Sequence, residues 1–555
     1  MDRAILPVAV GLLGGVGVAT FASVGLAVLS GTLTPILSSV GVALGVTVGV
    51  LAGRAVARVD AGAAAGKAGW ADFGAMAIFG VVAGRQFLGL HVERAGQVLT
   101  WDVFNYGDLP LHITYIRYFA GGAPFWPENP VFPATRLLYP IGIDVWNAML
   151  LQLGIPLGLG LVATGLVASA LLGLALWRWG AAFALLAFLL SGGAGDAGDL
   201  VWKNLFLALF VTQRGFLFAL PAGLLLLESW RRRFLTDAGA PLPAWVEATL
   251  WGLLPVFHLH SFLLLSLLFG LWALATRRLP RAWLTLGIAF VPASVGVLLV
   301  TDGFRAASLL GWEPGWILGK GESVLLSLAR NFTIYPFFVA LGAWAAWQRR
   351  ERAALLCLGP ALAVLWVLFF AKLQPWAWDN TKLMLWCYLL TLPAIALGLE
   401  RLPGLARGAL VSLWLLPGTV NVADATLDGR HGYAIYDVAE VDAVCDALRP
   451  VAVEERIAAF PTFNHPVALC GHALVAGYGG HLWSHGIDPR RVSERLEVLM
   501  NGGPGWEQAA RDVHARYLFW GAREASQWRG SRRPWEANAA VASGSWGRLY
   551  DLAAK

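Results

Sequence analysis

Charge is scarce in this chain. Asp, Glu, Lys and Arg make up only 14% of its 555 residues, too few to cover so long a polypeptide with an ordinary water-facing surface. Cysteine is nearly absent, and the four present (Cys357, Cys387, Cys445 and Cys470) form no CxxC pair and no zinc-ligand spacing. No P-loop occurs, nor a GxGxxG after a strand, which disfavours an ATP-driven pump. No internal repeat relates the two halves. The formal charge of +6 does not imply nucleic-acid binding, because in a chain this apolar the positions of Lys and Arg matter more than their sum.

Apolar residues are abundant: 57% of the chain is hydrophobic, with 27 Trp, 28 Phe and 64 Gly. Glycine lets helices pack closely in lipid, and aromatic rings settle at membrane interfaces. The expected class is therefore an α-helical polytopic membrane protein. Crossing the hydrocarbon takes about 20 helical residues. Apolar runs of that order fall at 4–29, 34–56, 70–91, 154–177, 283–300, 354–371, 383–400 and 405–423, with shorter or interrupted ones at 180–194, 214–230, 245–257, 260–276 and 332–348. That gives about thirteen transmembrane helices. Regions 180–213 and 245–276 are each open to one long span, two half-spans or a re-entrant segment. The first run is longer than a signal-peptide core and reads as a retained span, with a cleaved signal as the alternative.

Every second connection is short and basic, carrying Arg54, Arg58 and Lys67, then Arg178, Arg231–Arg233, Arg277, Arg278 and Arg281, Arg349, Arg350 and Arg352, and finally Arg401 and Arg407. By the positive-inside rule these connections are cytoplasmic. The opposite connections, 92–153, 195–213, 301–331 and 372–382, then share the external face with everything after 424. The sequence thus divides into a transmembrane part, 1–423, and a soluble external α/β domain, 424–555. In the latter, "RIAAF", "PVALC" and "ARYLFWG" read as strands, and "DPRRVSERLEVLMNG" and "WEQAARDV" as helices. Cys445 and Cys470 lie on the oxidising side, although spacing alone leaves their pairing open.

The external loop 92–153 is unusually polar for its surroundings. It carries Asp102, Asp108, His112, Arg117, Glu128, Arg136 and Asp144. Asp108 and His112 are four apart and share one face of a short helix. A carboxylate there suits a general base, and His112 and Arg136 suit the phosphate oxygens of a lipid headgroup. "RLLYPIGIDVWNAML" reads as an amphipathic helix suited to the membrane interface. The competing reading is an ordinary loop of solvated charges and belt aromatics. Lys382, with Asp379 in "WAWDNTK", and Arg214 in "TQRG" stand at external span ends; they would neutralise a lipid phosphate or simply snorkel. His258 and His260 in "FHLHS" fall where two runs meet. In a helix they would point about 200° apart, so contact with a donor sugar or phosphate is the better reading than a zinc site, and structural hydrogen bonding is equally open. The glycine- and histidine-rich stretch 463–491 reads as a fold-supporting loop, with acceptor or donor contact as the alternative.

"GDLPLHITYIRYFAGG", the following "PENP" and "RLLYPIGIDVWNAML" together resemble the first external loop of the GT-C superfamily of integral-membrane glycosyltransferases, which includes protein O-mannosyltransferases and lipid A aminoarabinose transferases. "DNTKLMLWCYLLTLPAIALGL" is similar to a late span of that superfamily, and the layout of many spans before an external α/β domain also matches. The chain departs from the pattern in showing "GDLP" where relatives carry an acidic pair, and in placing two extra spans before the loop. The resemblance implies a polyprenyl-phosphate-linked sugar donor, an external acceptor (protein, lipid or glycan) and inversion at the anomeric carbon. Asp108 would be the base, with Asp102 and Glu128 in reserve. Lys382, Arg214, Arg136, His112, His258, His260 and Asp379 would contact the donor. A divalent metal is left open, since members with and without one exist. The expected location is the bacterial inner membrane, N-terminus cytoplasmic. A transporter or lipid flippase, favoured by the broken spans, is the alternative, and a non-catalytic envelope scaffold is a third reading.

Overall fold

The computed structural model describes residues 2–59, 68–195, 200–236, 238–305, 310–319, 321–427 and 432–553; Lys67 and the side chain of Arg281 lie outside the described residues. The chain opens with a helical hairpin, α1 (Asp2–Ser30) and α2 (Pro35–Val59). Glycines recur every four residues along the shared face. A Cβ on Gly49 would stand 2.5 Å from the Gly11 carbonyl oxygen, and one on Gly45 would strike the Gly15 backbone. Small residues at this spacing let the two backbones touch, which replaces the hydrophobic driving force that lipid cannot supply.

After α3 (Trp70–Leu88), the first loop builds a hairpin, β1 (Val92–Arg94) and β2 (Gln97–Thr100), then α4 (Asn105–Ala120), a second hairpin, β3 (Glu128–Asn129) and β4 (Phe132–Arg136), and α5 (Gly142–Gln152). The helix expected from residue 136 begins only at Gly142. It is also buried rather than resting freely at an interface: Asp144, Val145, Ala148 and Met149 are enclosed, and Gln152 bonds Ser38, Leu33 and Ala120.

The next helix, α6 (Leu157–Leu189), is broken at Gly180 and Ala181, where Ala181 takes φ 53° and ψ −150°. Asp72 at the start of α3 accepts the freed Ala182 N–H at 2.8 Å. A π-helical stretch, Phe206–Val211, then leads into α7 (Phe216–Trp230). α8 (Ala244–Phe257) and α9 (Leu259–Ala275) are two short helices meeting at extended His258, so region 245–276 is a broken hairpin rather than one long span. α10 (Trp283–Val300) precedes a two-residue strand, β5 (Gly311–Trp312), and then α11 (Val324–Phe332) and α12 (Tyr335–Arg349), bent by 81° at their junction. The remaining elements of the bundle are α13 (Arg352–Phe370), β6 (Ala371–Lys372), α14 (Thr381–Leu399) and α15 (Gly404–Leu427). Among the described residues seven helices are long and apolar enough to cross a membrane, or eight counting the bent pair; α7, α8 and α9 occupy expected runs but are shorter. Three buried tryptophans in the bundle find acceptors: Trp179 bonds Leu389 O, Trp272 bonds Leu356 O and Trp386 bonds Ser261 Oγ, each at 2.8 Å, as a dry interior favours; Trp230 Nε1 has none among the described residues.

The C-terminal region follows as β7 (Tyr433–Asp437), α16 (Val438–Leu448), β8 (Ile457–Ala458), α17 (Pro466–Leu469), α18 (Gly479–Ser484), α19 (Arg490–Asn501), α20 (Trp506–Asp512), β9 (Tyr517–Gly521), α21 (Ala522–Gln527), β10 (Ala540–Gly544) and β11 (Gly547–Asp551). Its main sheet runs β10-β11-β9-β8, and β8 pairs parallel to β9. "PVALC", expected as a strand, is helical: His465 caps the turn by accepting the Val467 N–H, and Pro466 is pre-set for its first position. A disulfide joins Cys445 to Cys470.

The connections sort into two groups. β7 adds to β2 and β1 in one antiparallel sheet. β5 pairs with β6. Asn331 accepts the Val201 and Trp202 N–H groups at 2.9 Å, Trp378 bonds Val201 O, and the Leu474 and Gly477 N–H groups bond Pro130 and Val131 carbonyls. Gln213 reaches Asp108 and Trp376 contacts Trp483, so the described residues of loops 92–153, 195–213, 301–331 and 372–382 and of the C-terminal region form one layer, the loop face. The basic connections are tied to one another elsewhere: Arg178 grips Glu228 bidentately at 2.7 Å, Arg233 pairs with Glu247, Arg278 bonds Arg233 O, Arg352 bonds Ala275 O and Arg349 pairs with Glu400.

Candidate active site

Asp102 accepts the Phe104 N–H at 2.9 Å, an Asx-type turn that starts α4 and puts Asp108 in its first turn, where the helix dipole favours negative charge. Asp108 and His112 share one face of α4, as their spacing requires. His112 Nδ1–H donates to Asp144 on α5 at 2.9 Å, which fixes the ring and leaves Nε2 available on the other side. Gln213 Nε2 reaches Asp108 Oδ2 at 3.4 Å. Burial pushes the Asp108 carboxyl above its ordinary range; His112 and Lys382 draw it back down, and Asp379 adds to the rise. Lys382 is itself held by Asp379 at 3.1 Å.

Arg214 closes the floor. Its side chain is 1% exposed, and Nε, Nη1 and Nη2 all lack a hydrogen-bond partner among the described residues. Asp144 and Tyr139 act on it electrostatically without bonding it. At the break between α8 and α9, His258 Nδ1 accepts the Ser261 N–H at 3.1 Å and lies 2.9 Å from Ser261 Oγ. That leaves Nε2 as the ring's N–H donor. Phe216 stacks on the His258 ring, the His260 ring lies 5.7 Å from it, and both histidines lie within electrostatic reach of Lys382.

The C-terminal region supplies the roof. His481 Nε2–H donates to the Gly107 carbonyl at 3.1 Å, and His485 packs on Tyr139 at 5.4 Å. Burial lowers His481 to about 4 and His485 to about 3, so both are neutral near pH 7 and serve as hydrogen-bonding rings, not cations.

Asp108, His112, Lys382, Asp379, Arg214, His258 and His260 are thus brought together. Three other candidates are engaged elsewhere. Glu128 pairs with Arg456 at 3.1 Å, the exposed Arg136 bonds the Trp126 carbonyl, and Asp102 is committed to the turn before α4. Asp144 and Gln213 join the cluster without having been given a role in it, and His481 and His485 bring in the stretch 463–491, for which acceptor or donor contact was the alternative to a fold-supporting loop. An acidic residue in the apolar "GIDVWNAML" was the available signal for Asp144. Among the described residues no three His, Cys, Asp or Glu side chains are grouped to hold a metal ion; Lys382 is a cation within electrostatic reach of Asp108, and Arg214 is one within reach of Asp144.

No protein-family model matches the sequence, and no curated protein matches it. Among solved structures the arabinofuranosyltransferase AftD from Mycobacteria superposes with a TM-score of 0.50 at 15% identity, covering 87% of this chain. This chain spans only 40% of that protein's length. An oligosaccharyltransferase from Archaeoglobus fulgidus gives a TM-score of 0.37 at 13% identity over 81% of this chain and 69% of that one, a likeness too distant to argue from. At 15% identity the first likeness is one of fold alone.

Proposed function

We propose that this integral membrane protein is a glycosyltransferase that moves a sugar from a polyprenyl-phosphate-linked donor to an acceptor on the loop face, with Asp108 as general base. The observation that carries the reading is Arg214, a buried guanidinium whose three nitrogens have no partner among the described residues, within electrostatic reach of Asp144 and Tyr139 and next in sequence to Gln213, which bonds Asp108. A buried cation without hydrogen bonds costs several kcal/mol unless an anion satisfies it, and a guanidinium fork matches phosphate oxygens.

In this reading the acceptor hydroxyl attacks the anomeric carbon of the donor. The new C–O bond forms as the bond to the phosphate oxygen breaks, and the hydroxyl proton passes to Asp108. The electron pair leaves with the polyprenyl phosphate, whose growing charge Arg214 and Lys382 stabilise. His112, oriented by Asp144, and His258 offer polar contacts to the sugar or phosphate. Asp108 must be ionised to accept the proton, a role for the neighbouring His112 and Lys382.

The test is sugar transfer by the purified full chain in nanodiscs, using a panel of polyprenyl-phosphate sugars. Asp108→Asn lowers kcat by about 100-fold or more with donor binding retained, and Arg214→Gln raises the donor KM by about tenfold or more. Normal transfer by Asp108→Asn overturns the base assignment. No transfer by the unaltered chain with any donor favours transport instead.

A further inference from the structure

Aromatic rings that the reaction above does not use line the loop face near Asp108. Tyr433 lies 6.0 Å from Tyr106, Tyr106 lies 4.9 Å from Phe463, and Phe463 lies 5.8 Å from Tyr478. Tyr478 contacts His481 at 5.2 Å, whose Nε2–H is on the carbonyl of Gly107, the residue before Asp108. Beyond it Trp483 contacts Trp376 at 5.6 Å. These rings are not core residues left at an edge: Tyr106 is 37% exposed, Tyr433 39%, Tyr478 42% and Trp483 58%.

We propose that this strip binds the acceptor, and that the acceptor is a neutral carbohydrate chain lying across the rings with its end hydroxyl at Asp108. The inference rests on the glycosyltransferase reading and adds the acceptor's class to it. The C–H faces of a sugar carry partial positive charge and stack on the negative face of an aromatic ring, while Tyr and Trp polar atoms remain free for sugar hydroxyls. The rings themselves are uncharged; a cation stands near one end, Lys203, over Trp378 at 5.4 Å, which itself contacts Trp376. The strip also differs from the surface this chain presents to lipid, where Leu29, Ile36 and Val81 are 85%, 75% and 69% exposed. The exposed Trp283 and Trp347 lie at helix ends in the bundle, as interface-belt residues do, whereas Tyr433, Phe463, Tyr478 and Trp483 belong to the C-terminal region. Contiguity with Asp108 separates the strip from scattered surface aromatics, which are ordinary.

The experiment measures binding of short neutral arabinan, mannan, galactan and glucan oligosaccharides to the purified full chain in nanodiscs. At least one binds, and Trp483→Ala and Tyr478→Ala each weaken it by about tenfold, about 1.4 kcal/mol. Trp347→Ala leaves binding unchanged. Absence of binding by the unaltered chain, or strip variants that bind normally, overturns the proposal. The two readings fail separately. Transfer onto a protein or lipid acceptor without glycan binding removes the strip's role and keeps the enzyme. Strip-dependent glycan binding in a chain that transfers from no donor does the reverse.

Discussion

Arg214 and Asp102 are both buried with polar atoms unpartnered among the described residues, yet their surroundings give them different consequences. Arg214 lies within electrostatic reach of Asp144 and Tyr139 and bonds neither, which in the proposed reading leaves its nitrogens to the donor phosphate. Asp102 has one oxygen spent on the Phe104 N–H and the other, Oδ2, in a dry site. Burial pushes its carboxyl up to about 7, so the folded chain holds a proton that the unfolded chain, with its carboxyl near 3.8, has already lost at pH 5 or 6. The folded state binds more protons in that window, and stability falls as pH rises through it, by up to about 1.4 kcal/mol per pH unit. Above pH 7 the full penalty is present. Asp102→Asn keeps the acceptor for Phe104 and removes the charge. Its thermal midpoint in detergent rises relative to the unaltered chain at both pH 5 and pH 8, and by roughly two to three times as much at pH 8. An equal shift at both values contradicts the ionisation account.

At the scale of elements, breaks are as informative as helices. Thr333, between α11 and α12, takes φ 53° and ψ −125°, a region that a β-branched residue reaches only under strain. Its Oγ1 is buried without a partner. Thr333→Gly relieves that strain, partly offset by the greater freedom of glycine in the unfolded chain, for a net gain of about 1 kcal/mol. A higher thermal midpoint is the expected reading, and a lower one shows that the threonine methyl packs well enough to outweigh the backbone. Some breaks were legible beforehand. The runs at 180–194, 245–257 and 260–276 are short or interrupted and left one span, two half-spans or a re-entrant segment open; the chain breaks at Gly180–Ala181 and His258. Asp108, His112, Lys382 and Arg214 were legible as isolated polar residues on one set of connections in an apolar chain. Asp144 was not, because in sequence it resembles the wet side of an interfacial helix, and only the packing of α5 under α4 encloses it. Nor was the sheet β1-β2-β7, since it pairs Val98 with Tyr436 across most of the chain. His481 reaches the site through a similar long-range contact that local periodicity cannot encode.

At the scale of the whole molecule, two layers of connections carry opposite characters. The loop face holds the Asp108 cluster, the aromatic strip and the Cys445–Cys470 disulfide; the other layer concentrates arginines paired with Glu228, Glu247 and Glu400. We expect the loop face to lie outside and the basic layer in the cytoplasm. Single cysteines introduced into a Cys357→Ser, Cys387→Ser background test this, because Cys445 and Cys470 are protected by their bridge. Gln527→Cys, at the exposed end of α21, and Gln348→Cys, at the exposed basic end of α12, report the two layers. A membrane-impermeant maleimide added to intact cells labels Gln527→Cys at once and Gln348→Cys only after permeabilisation. The reverse pattern would put the disulfide in a reducing compartment and the basic clusters on the disfavoured side. The acceptor strip would then face cytoplasmic glycans, and the transfer proposed for Asp108 would have to draw on donors presented at the inner leaflet.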